Sequence, residues 1–314
     1  MSLEVYKGPW AGIENKTASA ITVGTFDGIH RGHQQILAAL KKIASEQELT
    51  PTLVTFDPHP QELLKRKKPD IRILTDIDEK KEILEQLGVS RLVVLDFNKE
   101  LAQLSPKTFV EQVFVKRLCA KQVVIGYDHA FGKNRIGSKE LLISLGQEHG
   151  FDVSVVDPID HYGIIISSTI IRSALYNGDV ALAGLYLGRS YAILGKVVPG
   201  DKRGRTLGIP TANIHPIHLN KLIPADGVYS GHATVGSDVY QAAISIGSQP
   251  TYKQANDNAE PLLEVHLLNF QGNIYGQLLQ VRFEQKIRNQ MAFASADKLV
   301  RQMKADINII KKIT

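Results

Sequence analysis

The chain has 314 residues, of which 43% are hydrophobic and 22% are charged, so long disordered segments and coiled coils are excluded as its main structure. Its net charge of +5 fits a protein that handles polyanions, without choosing between nucleic acids and nucleotides. No apolar run approaches the ~20 residues that span a bilayer, and the N-terminus does not resemble a signal peptide. A single cysteine, Cys119, excludes an internal disulfide, so we expect a cytoplasmic protein.

Residues 18–157 alternate short apolar runs with amphipathic helices. The apolar runs are AITVGTF, TPTLVTF, SRLVVLDF, KQVVIGY and FDVSVVD. Continuous apolar strands of this kind are typical of a parallel sheet that is covered on both faces. The pattern predicts an α/β fold with a doubly wound parallel sheet.

Helix start signals occur between and after these runs. Ser105 and Pro106 form an N-cap and first-turn pair before an apolar helix face. Thr75 with Asp78 resembles a capping box. Two further helices are predicted at about 168–177 and 179–187.

The pattern changes after residue 190, where short strands are separated by Gly, Pro, Asn and Asp. These strands are YAILGKVV, GVYSGHATV, VYQAAISIG, LLEVHLLNF and QLLQVRF, and they predict a small antiparallel β-barrel. A C-terminal helix from about Ser295 would pack Leu299, Met303 and Ile307 against the barrel. We therefore expect residues 1–187 and 188–314 to form two domains.

The segment GTFDGIHRGH joins the first predicted strand to a helix. Gly24, Gly28 and Gly32 let a ligand approach the backbone, and the new helix offers unpaired N–H groups that favour phosphate. His30 and His33 would donate N–H groups to phosphate oxygens that gain charge. The spacing of the two histidines does not fit a zinc site. Two surface histidines at a helix cap are the alternative.

Three more polar segments follow, and we expect them at the same edge of the sheet. They are TFDPHP, GYDHAFGKNRIGS and ISSTIIRSAL. Hydroxyls at a helix start are commonly caps. Four such segments at one edge, where ligands bind in open α/β sheets, predict a single pocket.

In this order the four segments resemble the motifs GxFDGxHxGH, FxPHP, GxDxxFG and SSTxIR. These belong to the adenylyltransferase domain of bacterial bifunctional riboflavin kinase/FMN adenylyltransferases, within the H-x-G-H nucleotidyltransferase superfamily. The resemblance implies direct attack of FMN phosphate on ATP, which gives FAD and pyrophosphate with no covalent enzyme intermediate. The residues that the resemblance assigns are His30 and His33 for the ATP phosphates, Ser168, Thr169 and Arg172 for the pyrophosphate, Gly24, Thr25 and Phe26 for the nucleotide, and Asp128 and Phe131 for the flavin or phosphate end.

A glycine-rich basic loop, GKVVPGDKRGRTLGIPTANI at residues 195–214, suits a polyphosphate. Thr211 and Asn213 lie two apart on an extended segment and face the same side. Their hydroxyl and amide oxygens are hard ligands that suit Mg²⁺. A polar hairpin turn is the alternative.

The strand LLEVHLLNF carries a carboxylate in its middle. By alternation Leu263, Val265 and Leu267 occupy one face, and Glu264 and His266 occupy the other. Glu264 is either a solvated outer residue or a base directed at a substrate hydroxyl.

These segments, together with DGVYSG, resemble the riboflavin kinase domain of the same enzyme family, so the resemblance covers roughly residues 18–310. It implies transfer of the ATP γ-phosphoryl group to riboflavin, with Glu264 as the base and Mg²⁺ held by Thr211 and Asn213. The further residues that the resemblance assigns are Gly195, Lys196, Gly200, Arg205 and Gly208 for ATP, and Arg288 for the flavin. The departures from the family pattern are Ile209, Gln249 and Ser138.

Three functions are compatible with the sequence. The first is a bifunctional enzyme that uses ATP, riboflavin and FMN with Mg²⁺, and that has no nucleic-acid or membrane partner. The second is an enzyme with one active site. The third is a nucleic-acid-binding or flavin-sensing regulator, for which the basic run at 65–68 lacks interleaved aromatic residues. Two complete motif sets favour the first function, and the oligomeric state is left open.

Overall fold

The computed structural model describes residues 3–15, 17–64, 71–133, 136–200, 204, 207–247 and 262–313. The chain divides by its internal contacts into two compact units, residues 1–167 and 168–314. The sequence-based boundary at 187/188 differs from this division by two helices, which group with the second unit. The domain assignment therefore stays a prediction.

A six-stranded parallel sheet forms the centre of the first unit. Its strands are β1 (Glu4–Gly8), β2 (Ser19–Val23), β3 (Thr50–Asp57), β4 (Arg91–Asp96), β5 (Ala120–Gly126) and β6 (Asp152–Val156). They lie in the order β1-β4-β3-β2-β5-β6, and every neighbouring pair is parallel. The predicted doubly wound sheet is confirmed. The strand order reverses at β2 and β5, which is where ligands bind in such sheets.

Helices cover both faces of this sheet. They are α1 (Arg31–Glu46), α2 (Pro60–Leu63), α3 (Ile77–Gln86), α4 (Lys99–Gln103), α5 (Pro106–Phe109), a π-helical continuation (Val110–Val115) and α6 (Lys139–His149). Ser105 caps α5, as predicted. Successive side chains of β2 enter opposite cores, because Ile21 packs in one hydrophobic cluster and Ala20 in the other. A short hairpin, β7 (Asp160–His161) and β8 (Ile164–Ile165), follows the sheet.

The capping box predicted at Thr75 and Asp78 was wrong by one residue. Asp76 is the N-cap of α3, and its carboxylate and that of Glu79 accept hydrogen bonds from each other's backbone N–H. The Thr75 hydroxyl instead accepts a hydrogen bond of 2.9 Å from the backbone N–H of Gly28. The Thr75 side chain therefore makes a tertiary contact instead of capping α3 as the local pattern had predicted.

The second unit contains two helices, a closed antiparallel barrel and a final helix. Its elements are α7 (Ser168–Tyr176), α8 (Val180–Leu187), β9 (Tyr191–Val198), β10 (Ala212–Pro216), β11 (Gly227–Val235), β12 (Asp238–Gly247), β13 (Leu262–Leu267), β14 (Leu278–Arg288) and α9 (Ala296–Ile310). The barrel order is β10-β13-β12-β11-β14-β9, which confirms the predicted barrel. Ser295 caps α9. Among the described helices of the chain, none combines the length and the apolar character needed to cross a membrane.

Candidate active sites

The turn between β2 and α1 has an unusual backbone. Phe26 and Ile29 have positive φ angles of 45° and 38°, and Gly28 lies between them at 88°. Left-handed backbone at a residue with a side chain costs roughly 1–2 kcal/mol. The Phe26 and Ile29 side chains are buried, and their packing holds the turn in this shape. Strain of this kind is concentrated at ligand-binding sites.

This turn brings Phe26, His30 and His33 together. His30 is the N-cap of α1, and its Nδ1 accepts a hydrogen bond of 3.4 Å from the backbone N–H of His33. The two imidazole rings stack with centroids 3.6 Å apart, and the Phe26 ring lies 4.6 Å from that of His33. Two ring N–H donors thus lie at a helix N-terminus, an arrangement that suits phosphate.

The environment of His33 keeps its ring neutral. Burial lowers its pKa well below the usual 6.5, and the neighbouring His30 and Lys80 lower it further. Its Nδ1 is buried and has no hydrogen-bond partner among the described residues. Neither histidine belongs to a group of three potential metal ligands in that part of the chain. A neutral imidazole still donates one N–H to an anionic oxygen.

Asp27, inside the same motif, anchors the turn to the segment before α3. Its buried carboxylate accepts hydrogen bonds of 2.9 Å from the backbone N–H of Leu74 and 3.0 Å from that of Thr75. Asp27 had no role in the sequence-based prediction, although its place between Gly24 and Gly28 in the turn was a usable signal. Charged hydrogen bonds of this kind are stronger than neutral ones.

Lys80 is a second residue that sequence analysis missed. Its ammonium group donates a hydrogen bond of 2.8 Å to the carbonyl oxygen of Thr25. Only 4% of the residue is exposed. The surrounding sequence, DIDEKKEIL, is typical of a solvated helix face, so nothing local distinguished this lysine.

The loop after β5 separates the two residues predicted near the flavin. Asp128 is exposed, whereas Phe131 is buried in the hydrophobic core and forms a bridge with Gly137. Ser138, a departure from the family pattern, is the N-cap of α6. A hydroxyl caps a helix as well as Asn or Asp does, so this departure is conservative. The flavin contacts of Asp128 and Phe131 stay predictions.

Ser168, Thr169 and Arg172 lie in the first turns of α7, in the second compact unit. Thr169 is exposed, and Ser168 and Arg172 are half-buried. Their role at the pyrophosphate also stays a prediction.

In the barrel, Asn213 on β10 lies directly opposite Glu264 on β13. Ser245 on β12 flanks Glu264 on its other side. All three are half-buried, whereas the adjacent Ala212 and Val265 are buried in the barrel core. The predicted alternation of β13 is therefore confirmed, and the oxygen-bearing side chains share one outer face.

The glycine-rich loop packs against the predicted metal ligands. A Cβ on Gly200 would lie 1.7 Å from Nδ2 of Asn213, and one on Gly204 would lie 3.1 Å from Oγ1 of Thr211. The backbone at Gly200 and Gly204 therefore lies beside these two side chains. The Thr211 hydroxyl and the Asn213 amide oxygen fit a hard cation such as Mg²⁺, and the Glu264 carboxylate lies opposite Asn213.

The remaining predicted ATP residues differ in their surroundings. Gly195 on β9 is buried, and a Cβ there would lie 2.3 Å from Cγ2 of Ile214, so strand packing requires glycine. Lys196 is exposed. Gly208 has a φ of +76° with open space around it. Arg205 and Gln249 lie outside the described residues.

Arg288, predicted near the flavin, binds a carboxylate of the C-terminal helix. Its Nε and a terminal nitrogen donate to the carboxylate of Asp306 at 3.0 and 2.8 Å. Asp306 is 3% exposed and also accepts a hydrogen bond of 2.8 Å from Gln302. The guanidinium group thus fastens α9 to the end of β14.

A crystal structure named Macrolide-efflux Protein from Streptococcus pneumoniae resembles the whole chain. It has a TM-score of 0.89 and 32% sequence identity, and the alignment covers 99% of each chain. This similarity supports the fold of the chain. The efflux that the name mentions is a statement about the Streptococcus pneumoniae protein.

Family models divide the chain in the same way as its motifs. The FAD synthetase model matches residues 12–170, and the riboflavin kinase model matches residues 187–314. The bifunctional riboflavin kinase/FMN adenylyltransferase of Bacillus subtilis (strain 168) is 37% identical over 294 residues, which cover 93% of this chain and 92% of the relative. That of Escherichia coli (strain K12) is 37% identical over 287 residues, covering 91% and 90%. The chain therefore belongs to the family of bifunctional riboflavin kinase/FMN adenylyltransferases.

Proposed function

We propose that this chain catalyses two consecutive ATP-dependent reactions. The barrel domain, residues 188–314, phosphorylates riboflavin to FMN, and the α/β domain, residues 1–187, adenylylates FMN to FAD and releases pyrophosphate. One observation carries the proposal. The paired histidines His30 and His33 lie within residues 12–170, which match the FAD synthetase model, and Thr211, Asn213 and Glu264 lie within residues 187–314, which match the riboflavin kinase model.

In the kinase reaction, Glu264 accepts the proton of the riboflavin 5′-hydroxyl as that oxygen attacks the γ-phosphorus of ATP, and the bond from the γ-phosphorus to the bridging oxygen breaks to release ADP. Thr211 and Asn213 would hold Mg²⁺, which would neutralise phosphate charge. Gly200 and Gly208 belong to the loop that covers the phosphates, and its backbone approaches Asn213 closely at Gly200. Register pairing of Asn213 with Glu264 supports this division of roles.

In the adenylyltransferase reaction, His30 and His33 donate N–H groups to the ATP phosphates. The neutral state of His33 supports a donor role rather than a role as a fixed positive charge. The hydroxyls of Ser168 and Thr169 and the guanidinium of Arg172 stabilise the leaving pyrophosphate, an assignment that rests on the SSTxIR motif alone. Catalysis then consists of positioning and charge stabilisation.

Three further properties belong to the proposal. ATP, riboflavin and FMN are the partners, with no nucleic acid or membrane among them. Mg²⁺ is the metal that supports both reactions. The location is the cytoplasm, which the single cysteine supports.

The proposal is tested by incubating the protein with riboflavin, ATP and Mg²⁺ and resolving the flavins by chromatography. We expect FMN first and FAD later, and FAD alone when FMN is supplied. Absence of both products under oxidising and reducing conditions contradicts the proposal. FMN without FAD, or FAD only when FMN is supplied, indicates an enzyme with one active site.

A further inference from the structure

A buried lysine lies beneath the nucleotide-binding turn and has no role in the reactions proposed above. Lys80 is 4% exposed and donates its 2.8 Å hydrogen bond to the carbonyl oxygen of Thr25. The next residue, Lys81, instead forms an ion pair with Asp78, and 38% of its side chain is exposed. Burying an ammonium group is costly unless charges and hydrogen bonds compensate for the lost water.

Carboxylates from several elements provide that compensation. Burial lowers the pKa of Lys80, and four nearby carboxylates oppose this effect. They come from the turn after β2, the end of β3 and the start of α3, and they are Asp27, Asp57, Asp76 and Glu79. The ammonium group therefore joins three elements at the carboxyl edge of the sheet.

A second attachment reinforces the first. The carboxylate of Asp27 binds the backbone N–H groups of Leu74 and Thr75, and the N–H of Gly28 donates to the Thr75 hydroxyl. The left-handed residue Phe26 lies between the two attachments. The segment from Leu74 to Lys80 thus holds the turn on both sides of its strained residue.

We propose that Lys80 is a positioning residue for adenylyl transfer, which holds the carbonyl of Thr25 so that the strained turn presents His30 and His33 to ATP. This inference rests on the proposed adenylyltransferase function. The same charge acts on the ring of His33, whose pKa is lowered by burial, by His30 from the same turn and by Lys80 from α3. Lys80 therefore favours both the position and the neutral state of His33.

The test uses the full-length chain with Lys80→Met, Lys80→Arg and the control Lys81→Met. Conversion of FMN to FAD gives kcat and KM for ATP, and riboflavin phosphorylation is measured on the same preparations. NMR titration follows the His33 ring proton, assigned with His33→Gln. We expect Lys80→Met to lower kcat for FAD formation roughly 10- to 100-fold, to raise the pKa of His33, and to leave FMN formation unchanged. Lys81→Met should match the wild type in every measurement.

Lys80→Arg keeps the charge, so His33 should titrate as in the wild type even where activity is only partly restored. If Lys80→Met does not fold, Lys80→Arg provides the test. A His33 pKa in Lys80→Arg that differs from the wild-type value overturns the proposal. Wild-type FAD formation in Lys80→Met also overturns it, as does a loss of FAD formation with an unchanged His33 titration. If the wild type itself makes no FAD, the proposed function fails, whereas the titration still tests the effect of Lys80 on His33.

Discussion

Asn213 and Glu264 are register partners on adjacent antiparallel strands of the barrel. Side chains directly opposite each other have Cβ atoms about 4.5–5.5 Å apart in such sheets. An amide oxygen suited to Mg²⁺ and a carboxylate suited to proton removal are therefore held within a few ångströms on one face. The barrel, rather than a flexible loop, sets their separation.

Replacing Glu264 with Gln should abolish the base and keep the shape of the side chain. We expect riboflavin phosphorylation to fall by about 10²- to 10⁴-fold, with FMN-to-FAD conversion unchanged. Both rates are measured by flavin chromatography on one preparation. Glu284→Gln is the matched control, because Glu284 is also a mid-strand carboxylate but binds His232. Equal losses in both reactions would contradict the assigned role.

Gly200→Ala should impair the kinase site alone. The added Cβ would lie 1.7 Å from Nδ2 of Asn213, so the Asn213 amide must leave its position. We expect a higher Mg²⁺ requirement and a loss of roughly tenfold or more in kcat/KM for riboflavin phosphorylation. Gly236→Ala is the control, since no atom lies within 4 Å of its Cβ and its left-handed φ of +60° costs roughly 1–2 kcal/mol, far from the kinase residues. An unchanged Mg²⁺ dependence in Gly200→Ala would be evidence against Asn213 as a ligand.

His33 should make the first unit less stable in acid. Its folded pKa lies below the usual 6.5, so the unfolded chain binds a proton that the folded chain excludes. The free energy of unfolding should therefore fall as pH drops below 6.5, by at most about 1.4 kcal/mol per pH unit from this group. Urea titrations followed by fluorescence of Trp10, which packs on the first unit's core, measure this dependence. In His33→Gln the free energy of unfolding should depend less steeply on pH. An equally steep dependence in that variant would show that other groups are responsible.

The Arg288–Asp306 pair should stabilise the C-terminal helix. Arg288→Met leaves a carboxylate whose side chain is 5% exposed without its cation, which costs about 3–5 kcal/mol. Hydrogen exchange of the α9 amides measures the loss, and Arg282→Met, which removes a hydrogen bond to Gln280, serves as the control. Combining Arg288→Met with Asp306→Leu should restore much of the protection of the α9 amides.

The same double variant tests whether Arg288 contacts the flavin. If its KM for riboflavin is higher than that of the wild type, Arg288 also contacts the flavin. Full recovery of KM limits its role to the ion pair.

Much of the fold follows from local patterns in the sequence. Apolar runs predicted β2 to β6, and alternation predicted the buried and outer faces of β13. The edge strand β1 was missed because its sequence, EVYKG, lacks a continuous apolar run, and only its pairing with β4 makes it a strand. The capping box was misplaced because the Thr75 hydroxyl binds Gly28, a residue far away in the sequence.

The sequence by itself determined which side chains are available for chemistry and which turns and strands carry them. Spacing and residue type are enough for this, because strand alternation and helix caps depend on neighbours a few residues away. Only the tertiary structure decided that Lys80 is buried against Thr25 and that Asn213 faces Glu264. Burial and strand register depend on segments that are distant in the sequence. The free energy of a buried charge is set by the partners that such segments bring to it.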